Sequence, residues 1–244
     1  MKSVLILGAK SDMAKATAKI YAQNGWNLLL AGRNVITELS SFSSQLKDDY
    51  GSDINLYDLD ILDFQSHMVF FKSFKQKPSG IICFIGLLGD QKKSEIDFNE
   101  TKTVIDSNFT GIVSLFNNFA NYYEEKGNGF IVGVSSVAGD RGRKGNYTYG
   151  SAKAALTAYM SGLRNRLASK NVHVMTVVPG FVETKMTKNM DLLDLLTVSP
   201  DYVAMKIFKM QQRRADQIYI PGYWYFIMVF IKLIPERWFK KLNI

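Results

Sequence analysis

The sequence predicts an α/β protein: a single doubly wound parallel sheet of about seven strands, helices on both faces, and an apolar C-terminal extension. Three observations predict it. Short runs rich in Val, Ile, Leu and Phe recur along the 244 residues, with longer stretches of helical periodicity between them. Those runs lack the apolar/polar alternation of a sheet wetted on one side, so both faces should be covered, as in a parallel sheet. No linker, repeat or low-complexity stretch interrupts the chain, so residues 1–222 read as one domain and 223–244 as its extension.

Strands are expected at Ser3–Leu7, Asn27–Ala31, Ile54–Asp58, Gly80–Ile85, Gly129–Ser135, His173–Val178 and Gln217–Ile220. Helical periodicity is clearest over Met13–Asn24, Phe98–Lys126, Tyr147–Ser169 and Pro200–Arg214. Tyr223–Ile231 is nine apolar residues in a row, followed closely by Lys232, Arg237, Lys240 and Lys241. That run is too short for a spanning helix and could meet a membrane interface, a substrate or another subunit.

Composition narrows the function. An apolar fraction of 47% supports a packed core. The single cysteine, Cys83, excludes a disulfide framework and fits a reducing, cytoplasmic compartment. His67 and His173 lie far apart without cysteine partners, so no zinc site is expected. The start lacks the pattern of a secretory leader. The net charge of +8 leaves anionic small molecules and anionic membranes open. Nucleic acid is not expected, because the basic residues are scattered without a recognisable motif.

The first strand runs into Gly8-Ala9-Lys10-Ser11-Asp12-Met13-Ala14 and then a helix. A helix N-terminus after a strand favours a dinucleotide pyrophosphate, and Gly8 permits the tight turn. Such loops usually carry three glycines; Asp12 and Ala14 stand in the other two places. An ordinary strand-to-helix turn, with Asp12 near the N-cap, explains the segment equally well. The second strand ends Gly32-Arg33, without the carboxylate that reads a ribose 2′-hydroxyl. Arg33 would suit a 2′-phosphate, which favours NADP(H) over NAD(H).

Tyr149-Gly150-Ser151-Ala152-Lys153 is the strongest chemical signal. On a helix, Tyr149 and Lys153 share a face. A nearby ammonium should lower the tyrosine pKa and make it a proton donor or acceptor at a carbonyl. Ser136 at the end of the fifth strand and Asn108 upstream add weight. With these residues the chain resembles the short-chain dehydrogenase/reductase family over nearly its whole length.

The resemblance implies a Rossmann-type fold with a catalytic tetrad of Asn108, Ser136, Tyr149 and Lys153. Ser136 would hold the substrate oxygen and Tyr149 would be the acid/base. Lys153 would bind the nicotinamide ribose, and Asn108 would position a relay water. Pro179-Gly180-Phe181-Val182-Glu183-Thr184 resembles the turn that meets the nicotinamide through the Val182 backbone and the Thr184 hydroxyl. Asp60-Ile61 resembles the pair beside the adenine. The implied cofactor set is Gly8, Lys10, Ser11, Asp12, Met13, Arg33, Asp60, Ile61, Gly86, Tyr149, Lys153, Pro179, Gly180, Val182 and Thr184, with no metal. The family's Asn-Asn-Ala-Gly reads Cys83-Phe84-Ile85-Gly86 here, so only Gly86 survives. A homo-oligomer is also implied.

Gly86–Asp90, Ser135–Lys144, Ile220–Val229 and Ile234–Ile244 further resemble decaprenylphosphoryl-2-keto-ribose (erythro-pentose) reductases. Those enzymes act beside a flavin oxidase to turn a prenyl-phosphate-linked ribose into arabinose. The resemblance implies a lipid-linked keto-sugar substrate and a flavin oxidase partner, while the apolar and basic tail itself offers peripheral membrane contact. Leu88, Arg141, Arg143 and Lys144 are the candidate substrate residues; a solvated basic turn is the plainer explanation of the three cations. Two other readings stand beside this one: a reductase for another apolar ketone or alcohol, and an NADP(H)-sensing protein without turnover.

Overall fold

The computed structural model describes residues 2–187 and 193–242. The sheet strands are β1 (Ser3–Leu7), β2 (Asn27–Gly32), β3 (Ile54–Asp58), β4 (Gly80–Cys83), β5 (Gly129–Val134), β6 (Val172–Pro179) and β9 (Gln217–Ile220). A small parallel pair, β7 (Phe181–Val182) and β8 (Thr197–Val198), lies between β6 and β9 in the chain. The helices are α1 (Asp12–Gln23), α2 (Val35–Glu38), α3 (Ser40–Tyr50), α4 (Ser66–Ser73), α5 (Gln91–Ile96), α6 (Phe98–Ile105), α7 (Gly111–Lys126), α8 (Tyr147–Leu167), α9 (Pro200–Gln212), α10 (Tyr223–Leu233) and α11 (Glu236–Phe239).

The seven sheet strands are all parallel, in the order β3-β2-β1-β4-β5-β6-β9. The uniform apolar runs have the expected cause, because alternate residues of one strand enter different cores. In β1, Val4 and Ile6 pack with Ala14, Ala18 and Tyr21 of α1 and Val203 and Ile207 of α9. Leu5 and Leu7 pack with Phe116 and Phe119 of α7 and Leu156 and Met160 of α8. All four of these β1 side chains are fully buried.

Strand order reverses between β1 and β4, and this is where a doubly wound sheet opens a cleft beyond its carboxyl ends. Gly8 follows β1 there at φ +73, a conformation that favours glycine. A Cβ at Gly8 would also lie 2.8 Å from the Ile85 nitrogen.

The expected helix over Phe98–Lys126 is interrupted. Asp106–Thr110 forms one π-helical turn between α6 and α7. Apolar periodicity is preserved on either side, which hid the interruption. In the extension, α10 buries Trp224 and Met228 against Val137 and Val178. Asn243 and Ile244, the last residues of the predicted extension, lie outside the described residues.

Candidate active site

Two adjoining hollows share Phe84 and Gly86 at the switch point. The first is lined by Gly8, Lys10, Ser11, Arg33, Asp60 and Ile61, among others. The second is lined by Met13, Leu88, Ser136, Tyr149, Lys153, Pro179, Gly180, Val182 and Thr184, with Arg143 and Asn146. Most of the predicted residues therefore divide into two clusters along one cleft, and Asp12, Asn108, Arg141 and Lys144 line neither.

The catalytic wall is fixed by close backbone packing. Ser136 caps the turn Val137–Gly139, its hydroxyl accepting from the Ala138 N–H at 3.1 Å. That turn lies close on α8 because a glycine on each side faces the backbone of the other element. A Cβ at Gly139 would meet the Ala154 nitrogen at 2.7 Å, and one at Gly150 would meet the Ala138 oxygen at 2.7 Å. Ser135 ties the same junction, donating to the Lys153 carbonyl at 2.9 Å. The Ser136 and Tyr149 hydroxyls are thereby brought into hydrogen bond.

Lys153 is 3% exposed, and its ammonium donates to the Val134 carbonyl at 3.1 Å. It lies 5.7 Å from the Tyr149 ring centroid. Burial pushes the Tyr149 phenol up to about 12, against a smaller downward effect of the Ser136 hydrogen bond. Burial pulls Lys153 down to about 8. The expectation that the ammonium lowers the tyrosine pKa is thus reversed in this geometry. Desolvation disfavours both charged forms, and the Nζ is spent on backbone carbonyls rather than the phenol oxygen.

Asn108 sits in the π-helical turn and is fully buried. Its Nδ2 donates to the carbonyls of Leu87 at 2.7 Å and Val104 at 2.8 Å, and its Oδ1 accepts from the Leu87 N–H at 3.2 Å. Asn108 lines neither hollow. It holds the chain after β4, where a Cβ at Gly86 would lie 3.2 Å from Asn108 Oδ1 and 3.4 Å from Lys153 Nζ.

Three further residues, Asp12, Arg141 and Lys144, stand apart from the hollows. Ser11 caps α1, accepting from the Ala14 N–H at 3.2 Å, and Asp12 follows it as the first residue of the helix. Asp12 instead accepts from the Lys185 N–H at 2.8 Å, so its carboxylate binds the segment after β7 and lines neither hollow. Arg141 is turned away from the pocket. Its guanidinium donates to the carbonyls of Ile231, Lys232 and Ile234, pairs with Glu236 at 2.9 Å, and stacks 3.6 Å over Phe239. These contacts all point toward the tail, and Arg141 lines neither hollow. Lys144 is exposed and lines neither hollow.

Of the three cations in that loop, only Arg143 reaches the second hollow. Its Nε and the Asn146 Oδ1 are buried without partners among the described residues. Asn146 escaped sequence reasoning, since a lone Asn in a basic turn carries no pattern. In the first hollow Arg33 is exposed at the end of β2, whereas Lys10 is paired with Glu38 at 2.6 Å.

A family model described as short chain dehydrogenase matches residues 2–192. The chain belongs to the short-chain dehydrogenase/reductase family. As a member, it is a nicotinamide-dependent oxidoreductase. An uncharacterised oxidoreductase of Mycobacterium tuberculosis is 29% identical over 242 residues, covering 98% of this chain and 96% of the relative. One from Streptomyces coelicolor is 29% identical over 243 residues, covering 99% and 96%. The fold matches a short-chain dehydrogenase from Sphingobium yanoikuyae in complex with NADPH, at TM-score 0.82 and 20% identity over 97% of each chain. These relatives carry the short-chain dehydrogenase/reductase family, not the narrower resemblance to decaprenylphosphoryl-2-keto-ribose reductases.

Proposed function

We propose that the protein is an NADP(H)-dependent carbonyl reductase with Tyr149 as proton donor. The observation that carries this reading is the Ser136–Tyr149–Lys153 wall beside a cleft whose far end offers Arg33 and no carboxylate at Gly32. The cleft fits a dinucleotide: the turn at Gly8 and the N-terminus of α1 supply backbone N–H groups for phosphates. Arg33, exposed and without a partner among the described residues, suits a 2′-phosphate, and the similar solved structure from Sphingobium yanoikuyae contains NADPH. When bound, the reduced nicotinamide supplies a hydride to the substrate carbonyl carbon.

The chain's residues supply the rest. The Ser136 hydroxyl steadies the carbonyl oxygen. Tyr149, fully protonated at neutral pH with a pKa of about 12, gives its proton to that oxygen as negative charge develops. Lys153 holds the ribose side of the site, and Asn108 acts as a positioning residue by fixing the strand-end segment at Leu87.

The second hollow supports a narrower substrate reading. Leu88, Val137, Phe181 and Met186 give it apolar walls, and among the described residues Arg143 is its only cation besides Lys153. The unpartnered Arg143 Nε and Asn146 Oδ1 favour a substrate with an acceptor and a donor, such as an anionic, hydroxylated ketone. A keto sugar carried on a prenyl phosphate has those properties, and the resemblance to decaprenylphosphoryl-2-keto-ribose reductases points the same way.

Titration with NADPH and NADH, followed by nicotinamide fluorescence, tests the cofactor. Equal or tighter binding of NADH would overturn the Arg33 assignment. A panel of carbonyl substrates with NADPH tests the chemistry. Tight NADPH binding without turnover of any carbonyl would favour a sensing role instead.

A further inference from the structure

We infer that α10 and the turn after it form a docking surface for an anionic lipid membrane. The helix has two faces. Trp224 and Met228 point inward and are 4% and 1% exposed. On the outer face, Phe226, Phe230 and Leu233 fall at helical spacing and are 72%, 70% and 75% exposed. Tyr223 extends the same stripe by one turn at its start. Beyond Pro235, Trp238 and Leu242 are also exposed. No described residue covers this face. So many large apolar side chains together are unusual on a soluble surface and mark an interaction site.

Charge identifies the occupant. Lys232, Arg237, Lys240 and Lys241 are exposed within the same segment, and the Arg237 guanidinium stacks 4.9 Å from the Trp238 ring. The one acidic residue of the segment, Glu236, is already paired with Arg141. Aromatic side chains interleaved with Lys and Arg are the composition of an interfacial helix drawn to anionic headgroups. A second copy of this chain fits worse. In a two-fold contact of this segment with itself, the four cations of each copy would meet no carboxylate but Glu236, which Arg141 already holds. The helix cannot span a bilayer: its eleven residues extend about 16 Å. Among the described residues, no helix is long and apolar enough to cross a membrane.

The surface is held rigidly to the catalytic half. Arg141, in the loop between Ser136 and Tyr149, binds the carbonyls of Ile231, Lys232 and Ile234 at the end of α10. Tyr219 donates to Asp140 at 2.9 Å in the same loop. Trp224 stacks edge-on with Phe181, a wall of the second hollow, at 5.0 Å. One helix thickness, about 10 Å, therefore separates the outer stripe from that hollow. A membrane on the stripe would lie beside the mouth of the substrate pocket; this last step rests on the reductase reading, whereas the docking itself does not.

Co-sedimentation of the full-length protein with phosphatidylcholine vesicles, with and without phosphatidylglycerol, tests the inference at low and high salt. Binding should need phosphatidylglycerol and weaken with salt. Phe226→Asp with Phe230→Asp should abolish it. Lys240→Glu with Lys241→Glu should lower it by roughly tenfold or more. Both variants should keep the wild-type NADPH affinity, thermal midpoint and sedimentation coefficient, which separates failed docking from failed folding or a failed reductase reading. No vesicle binding by the wild type, or binding unchanged in the Phe variant, would overturn the proposal. A drop in sedimentation coefficient on the Phe substitutions, with no vesicle binding by the wild type, would assign the face to self-association instead.

Discussion

On the catalytic wall, Lys153 is held on the Val134 carbonyl and Ser136 on the Ala138 N–H, and behind them Asn108 is held on Leu87 and Val104. In the hollow beside Gly8, Arg33 stands in solvent without a partner among the described residues, and the Asp60 carboxylate caps its own turn at Leu62. The catalytic half thus has its geometry built during folding, where misplacement of a proton donor is most damaging. The recognition half leaves its charge mobile until a ligand arrives. Substitutions should therefore act on rate in one half and on affinity in the other.

The largest effect should come from Tyr149→Phe. Reductive turnover should fall by about 10²–10⁴-fold, while NADPH affinity and thermal midpoint stay at wild-type values. Steady-state rates alongside a fluorescence titration check this, and a Phe enzyme near wild-type rate would erase the distinction between the halves.

Lys153→Met should come next, because Lys153 belongs to both halves. Rate and cofactor affinity should both drop. The pH dependence follows from the depressed pKa. Lys153 carries its charge at pH 7 and loses it as the pH rises through about 8, so NADPH affinity should weaken above that point. The variant should lack this break. Between about 8 and the ordinary 10.5, the unfolded chain binds more protons at this lysine than the native one. Lys153 therefore makes native stability rise with pH in that window, and chemical denaturation of Lys153→Met should show the rise removed.

Arg33→Ala should be milder and confined to affinity. Because the guanidinium is exposed, its contact with a 2′-phosphate is discounted to about five- to tenfold in NADPH binding, with NADH binding unchanged. Paired titrations measure the ratio. A loss of maximal rate at saturating cofactor would show the two halves to be coupled.

The smallest effect should be that of Arg143→Gln, read as a split between substrates. KM for a phosphorylated or carboxylated ketone should rise by about three- to tenfold, and KM for a small neutral ketone should not. Arg141→Gln offers a contrast: with no donor facing the pocket, it should treat anionic and neutral ketones alike and lower thermal stability instead.

Much of the architecture was legible in the chain. Parallel strands buried on both faces write themselves as unbroken apolar runs, so Val4–Leu7 and Val174–Val178 announce their environment. Tyr149 and Lys153 were legible because helical spacing alone sets them on one face. Other features were hidden by symmetry in the code. The π-helical turn at Asn108 shifts the backbone without changing residue types. Arg141 and Arg143 are identical letters two positions apart, and only the path of the loop sends one to the tail and the other to the pocket. The Tyr149 pKa was misjudged because sequence shows a neighbouring charge but not the water removed from around it.

Arg141 has a consequence for how such proteins can be taken apart and recombined. Its guanidinium finds its partners in the last dozen described residues, so loop and tail form one interlocking unit although about ninety positions separate them. A chimera that imports a foreign tail would leave a half-buried cation without these acceptors, and one that imports only a foreign loop would remove a donor from three carbonyls. Exchanging both segments together should preserve the lock. The two pieces are therefore best regarded as a single inherited module, and shuffling experiments that cut between them should yield fewer active recombinants than those that keep them paired.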